Sequence, residues 1–104
     1  MSKICVWIKR PGEQPERALI GNTLEDLQQI VEGYIETVTI SEDLVIICNE
    51  EGWIRDLPFN CRLCGHLLFG NLIFAGYDED DFTDCPLDER SLKRAFPELW
   101  EVES

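Results

Sequence analysis

Tyr34-Ile35-Glu36-Thr37-Val38-Thr39-Ile40, then Ser41-Glu42-Asp43, then Leu44-Val45-Ile46-Ile47-Cys48 is the stretch that decides the fold. The first seven residues alternate bulky and polar side chains with period two, which predicts a half-buried strand. The three that follow supply a polar turn. The next five are apolar throughout, the pattern of a central strand covered on both faces. A hairpin is expected here, and with it a continuous sheet built from residues 34 to 75.

On the N-terminal side, Asn22 reads as a helix N-cap with Glu25 reaching back to it, while Leu24, Leu27, Ile30 and Val31 recur at helical spacing up to Glu32. Gly33 stands where a left-handed residue commonly ends a helix. Before the helix, Ile4-Cys5-Val6-Trp7-Ile8 predicts a first strand closed by Lys9-Arg10-Pro11-Gly12, and Arg17-Ala18-Leu19-Ile20 a second that pairs with it as a hairpin.

On the C-terminal side, Asn49-Glu50-Glu51-Gly52 turns the chain and Trp53-Ile54 starts a short returning strand. Pro58 and Asn60 break regularity. Strand patterns resume at Leu67-Leu68-Phe69 and Leu72-Ile73-Phe74-Ala75, with Gly70 a candidate bulge between them. Asp78 to Asp84 reads as an acidic loop, Asp88 to Phe96 as a short helix, and Trp100 as a residue that packs the tail back.

The 104 residues suit one domain, 1–104, and 44% hydrophobic content is ordinary globular composition. The apolar runs fall far short of the about 18 residues a bilayer span needs, and no apolar signal core follows a basic start, so a soluble protein that is not exported is expected. Five cysteines, an odd number, fit reduced or metal-bound thiols better than a disulfide framework. Nine Lys and Arg stand against 21 Asp and Glu, a formal net charge of -12. Direct nucleic-acid binding through phosphates is therefore not expected, whereas a protein with a basic surface is a fitting partner.

The helix, the Gly33-Tyr34-Ile35-Glu36 strand, the apolar strand ending Asn49-Glu50-Glu51-Gly52, and Leu57-Pro58-Phe59-Asn60 occur in an order that resembles a small uncharacterised domain family of bacteriophages and conjugative elements. Leu24-Glu25-Asp26-Leu27-Gln28 and Asp81-Phe82-Thr83 fit the same pattern, and the resemblance covers about residues 3 to 90. It implies a compact α+β domain in a mobile-element and bacterial cytoplasmic setting, with no catalytic residues to carry over. The chain departs from the pattern in Cys61, Cys64 and Cys85, and in Glu32, where a second glycine is expected before Gly33.

Three constellations remain as candidate sites. Cys61, Cys64 and His66, completed by Cys85 or Cys48, offer zinc ligands of the right type but only one Cys-x-x-Cys pair; partly buried thiols beside a loop histidine give the same sequence. Zinc is the single cofactor candidate. Trp53, Arg55, Phe59 and Arg62 combine stacking faces with guanidinium groups and would suit a small nucleotide, although core aromatics with surface arginines are the commoner reading of such residues. Asp78, Glu79, Asp80, Asp81 and Asp84 can present a phosphate-like row of charge to a basic protein, or be a plain solvated loop. Glu36, Glu50 and Glu51 are read as solvated carboxylates rather than a catalytic pair, and no enzyme is expected.

The expected architecture is α+β: a mixed, mostly antiparallel twisted sheet of five to seven strands, one main helix on a face and a short C-terminal helix. The expected function is a non-catalytic accessory binding protein of a phage or mobile element, with inhibition of a host defence protein ranked first. A nucleotide-sequestering protein and a zinc-bound structural module are the alternatives, and open sheet edges leave room for a homodimer.

Overall fold

Residues 3–101 are described by a computed structural model. They form eight strands and two helices: β1 Lys3–Lys9, β2 Glu16–Gly21, α1 Leu24–Val31, β3 Ile35–Ser41, β4 Leu44–Asn49, β5 Phe59–Leu63, β6 His66–Phe69, β7 Leu72–Asp78, β8 Asp81–Thr83 and α2 Glu89–Ala95, with a 3-10 turn at Pro97–Trp100. The main sheet runs β2-β1-β7-β4-β3, with β8 also on β7, and β5 and β6 make a separate two-stranded sheet. Every pairing is antiparallel. The fold is thus the expected α+β class, with six strands in its main sheet. No helix among the described residues is long and apolar enough to cross a membrane.

β4 and β7 form the middle of the sheet, and their alternating side chains feed two cores. Val45, Ile47, Ile73 and Ala75 point to one face, where Ile4, Val6 and Ile8 of β1 meet Leu27 and Val31 of α1. Leu44, Ile46, Cys48 and Phe74 point to the other, beneath Leu63 and Leu68 of the β5–β6 hairpin and Leu92 and Leu99 of the C-terminal segment. All six β4 residues are buried, as expected of an apolar strand covered on both sides. The tail packs back as expected: Trp100 meets Trp7 edge-on at 6.5 Å between ring centres, and the Trp7 indole donates to the Leu87 carbonyl at 3.0 Å.

The helix ends differ from the sequence reading. Thr23, not Asn22, is the N-cap: its hydroxyl accepts from the Asp26 amide at 3.1 Å. Asn22 donates its side-chain amide to the Phe82 carbonyl at 2.9 Å, tying the helix entrance to β8. At the other end Glu32, not Gly33, takes the left-handed conformation, with φ 63. The Gly33 amide then donates back to the Gln28 carbonyl at 3.0 Å, the 6→1 bond of a Schellman motif. Glu32 thus occupies the backbone position that favours glycine. Gly33 is needed for a different reason: a Cβ there would lie 2.6 Å from the Asn49 side-chain nitrogen.

Four further expectations are corrected. Trp53 and Ile54 lie in an irregular turn, not a strand, and both are exposed. Phe59–Leu63 is a strand although Pro58 and Asn60 argued against regularity there. It pairs with β6 through a two-residue turn at Cys64 and Gly65, both with positive φ, the combination whose twist matches a hairpin. The expected acidic loop Asp78–Asp84 instead contains, over Asp78–Thr83, the β7–β8 hairpin, turned at Glu79 and Asp80 with φ 43 and 71. Gly70, with φ 76, is not a bulge within one strand; it is the corner where the chain passes from the small sheet into the large one.

Candidate functional site

The residues that mark the chain most distinctively hold backbone. Asn49 is buried at the end of β4. Its side-chain nitrogen donates to the carbonyls of Val31 at 3.0 Å and Glu32 at 3.1 Å, and its oxygen accepts from the Glu51 amide at 2.7 Å. One side chain thereby satisfies orphan carbonyls at the end of α1 and shapes the turn that follows β4. Asn60 donates to the Lys9 carbonyl at 2.7 Å and to the Gly70 carbonyl at 2.8 Å, pinning the small hairpin across the main sheet. Its buried oxygen has no partner among the described residues. Leu57 completes this joint by lying where a Cβ on Gly70 would have to go, 2.8 Å from the Leu57 Cδ1.

Two open grooves flank the β5–β6 hairpin. The first, about 400 Å3, lies between β3 and β6, with Glu36, Val38, Glu50, Trp53, His66 and Leu67 along its walls. The second, about 420 Å3, runs between β5 and the C-terminal turn and is lined by Lys9, Phe59, Cys61, Arg62, Glu98 and Glu101 among others. The four residues expected to line one nucleotide pocket are therefore divided: Trp53 borders the first groove, Phe59 and Arg62 the second, and Arg55 borders neither, lying 3.5 Å from the Glu51 carboxylate.

The candidate zinc ligands are not assembled. Cys61 sits on β5, Cys64 is exposed at the hairpin tip, His66 is exposed on β6, and Cys85 is buried beside β1, where its amide donates to the Cys5 carbonyl at 2.8 Å. Among the described residues no three His, Cys, Asp or Glu side chains gather in a metal-holding group. Burial pushes the Cys61 thiol up to about 11, against a pull from Lys9, and burial followed by the Glu36 charge pushes Cys48 to about 11. Burial raises Cys85 as well. These three groups are thiols at neutral pH, not the thiolates a nucleophile needs.

Lys9 is the residue the sequence reading missed, having been assigned to a turn. It ends β1 and is only 3% exposed. Its ammonium donates to the Arg10 carbonyl at 3.0 Å, and burial lowers its pKa. The signal was the period-two pattern itself: Ile4, Val6 and Ile8 share one face, which leaves Lys9 beside Trp7 on the other.

The acidic residues stay at the surface. Asp78, Glu79, Asp80 and Asp81 are exposed at the β7–β8 tip, where Asp80 accepts from the Tyr77 hydroxyl at 3.2 Å. Asp84 is used differently, accepting the Cys5 amide at 2.7 Å. Among the described residues only two ion pairs form, Arg10–Glu16 at 3.8 Å and Arg55–Glu51 at 3.5 Å. Most of the described carboxylates are therefore not paired with a cation among the described residues. No curated protein and no solved structure matches the sequence. The match that does hold covers residues 3–97, so both asparagine joints and every strand fall inside it, and the chain belongs to the family described as a domain of unknown function, DUF3846.

Proposed function

We propose that this domain works by binding rather than by catalysis, as an accessory protein of a phage or mobile element that meets a basic partner protein in the bacterial cytoplasm. Inhibition of a host defence protein is the role ranked first. One observation carries the reading: a chain of net charge -12 engages only two carboxylates, Glu16 and Glu51, in ion pairs among its described residues. Uncompensated charge of one sign steers a partner of the other sign and suppresses wrong ones. The Asp78–Asp81 hairpin tip is the densest part of that surface. Its two-residue turn holds four consecutive acidic side chains on a defined backbone instead of a floppy loop.

Affinity capture from lysate of a bacterial host tests this, with the native chain run beside a variant carrying Asp78→Lys, Asp80→Lys and Asp81→Lys. Retention of a specific basic protein, weakened by salt and lost in the variant, is the expected result. Retention that survives charge reversal and high salt would remove the electrostatic basis of the proposal. A melting temperature raised by nucleotides in the absence of any protein partner would transfer the role to small-molecule sequestration.

A further inference from the structure

The groove between β3 and β6 is bounded by two strands that each pair along one side only. β3 ends the main sheet, hydrogen-bonded to β4 alone, and β6 is bonded to β5 alone. The register of β3 shows which backbone groups are free. The Glu50 amide donates to the Tyr34 carbonyl, and the pairs Glu36↔Cys48 and Val38↔Ile46 continue at intervals of two. In an antiparallel ladder bonded and non-bonded pairs alternate, so Ile35, Thr37 and Thr39 turn their N–H and C=O groups away from β4.

Side chains define what fits beside that edge. Glu36 and Val38 fall on the face of the β5–β6 hairpin, with Val38 packed against the core there. Glu36 and Glu50 bring two carboxylates to the groove, whose lining contains no Lys or Arg. Trp53, 68% exposed, and Leu67, 61% exposed, add apolar surface. We infer that this groove docks an extended basic segment of a partner protein, which adds a strand to the β3 edge. Main-chain bonds from Ile35, Thr37 and Thr39 hold it, a Lys or Arg meets Glu36 and Glu50, and an alternate apolar side chain lies on Trp53 and Leu67. A second copy of this chain is a poor occupant, because each copy carries a net charge of -12.

This inference rests on the binding role proposed above, and a defined probe separates the two. A fluorescent peptide of sequence Thr-Lys-Thr-Val-Thr-Lys-Thr, which puts its basic and apolar side chains on one face, its counterpart with Glu for each basic residue, and its counterpart with Pro in place of the Thr before Val are titrated into the full chain by anisotropy. The basic peptide is expected to bind, and the other two to bind at least roughly tenfold more weakly, since one loses charge complementarity and the other a backbone donor. Thr37→Pro with Thr39→Pro removes two outward donors while leaving the β4-facing bonds of Glu36 and Val38, and should weaken the basic peptide by a similar factor. Glu36→Lys, which asks nothing new of the backbone, should do so even if the proline variant fails to fold.

Equal binding of the proline-containing peptide, or binding unaffected by Glu36→Lys, would overturn the inference. So would a dimer in sedimentation that dissociates on Thr37→Pro, since the edge would then be covered by the chain itself. Loss of peptide binding on reversal of the Asp78–Asp81 charges alone would leave the acidic-surface role standing and remove the groove from it. No binding of the basic peptide to any form would count against both.

Discussion

Asn49 and Asn60 hold the two ends of one segment, and both do so by donating a side-chain amide to two backbone carbonyls. They differ in the other half of the amide. The Asn49 oxygen accepts the Glu51 amide, whereas the Asn60 oxygen is buried with no partner among the described residues. The first joint is closed, and three orphan groups depend on it. The second carries an uncompensated acceptor and borders an open groove. The same residue type in two similar roles therefore contributes unequally, because a buried polar atom without a partner offsets part of what its neighbours gain.

The largest expected effect breaks the first joint. Asn49→Ala should lower stability by about 3 kcal/mol, because it strands two carbonyls and an amide; denaturant unfolding measures it, and a loss no greater than that of Asn60→Ala would end the distinction. Next comes alkaline pH, which acts on the neighbours of both joints. The folded-state pKa values of Cys48 and Cys61 are raised to about 11. Their contributions are fully present below the ordinary thiol value and are lost as pH rises through the raised one. Stability should fall by about 2 kcal/mol per thiol between pH 9 and 11. Cys48→Ala should remove its share of that slope, read from unfolding midpoints across the pH series.

Asn60→Ala should cost only about 1 kcal/mol, since two carbonyls lose a donor while the orphaned oxygen disappears with the side chain. The smallest effect is a gain. Glu32→Gly should stabilise by about 0.5 to 1 kcal/mol, because the left-handed residue next to the Asn49 joint would no longer carry a Cβ. A loss of stability there would mean that the Glu32 side chain has a role the conformational argument overlooks, and thermal unfolding decides it.

Hydrophobic periodicity made the sheet legible wherever it was strong. β1, β3, β4 and β7 all fall where alternating or continuous apolar runs place them, and Asp88–Phe96 frames α2 closely. The two missed hairpins share a cause. Both unrecognised hairpins open their turns on a non-glycine residue in a left-handed conformation, Cys64 before Gly65 in one and Glu79 before Asp80 in the other, and neither carries the Asn-Gly or Asp-Gly signal that reveals such turns. The helix stop was displaced by one residue because Gly33 is required for space, not for φ. The site was less legible still. Which strand edge is left unpaired, and which carboxylates face it, depend on the order of strands across the sheet, and periodicity within one strand carries no information about that order.

The strand order also bears on synthesis. β7 joins the β1–β2 ribbon to the β3–β4 ribbon, and its pairing of Ile8 with Ile73 spans most of the chain. A nascent polypeptide that has reached only Gly70 holds the two ribbons of the main sheet, the β5–β6 hairpin and one amphipathic helix, but not the strand that joins the two ribbons. Collapse of the whole must therefore await the last third of translation, and the apolar faces of those ribbons stay open to chaperones or to neighbouring chains until then.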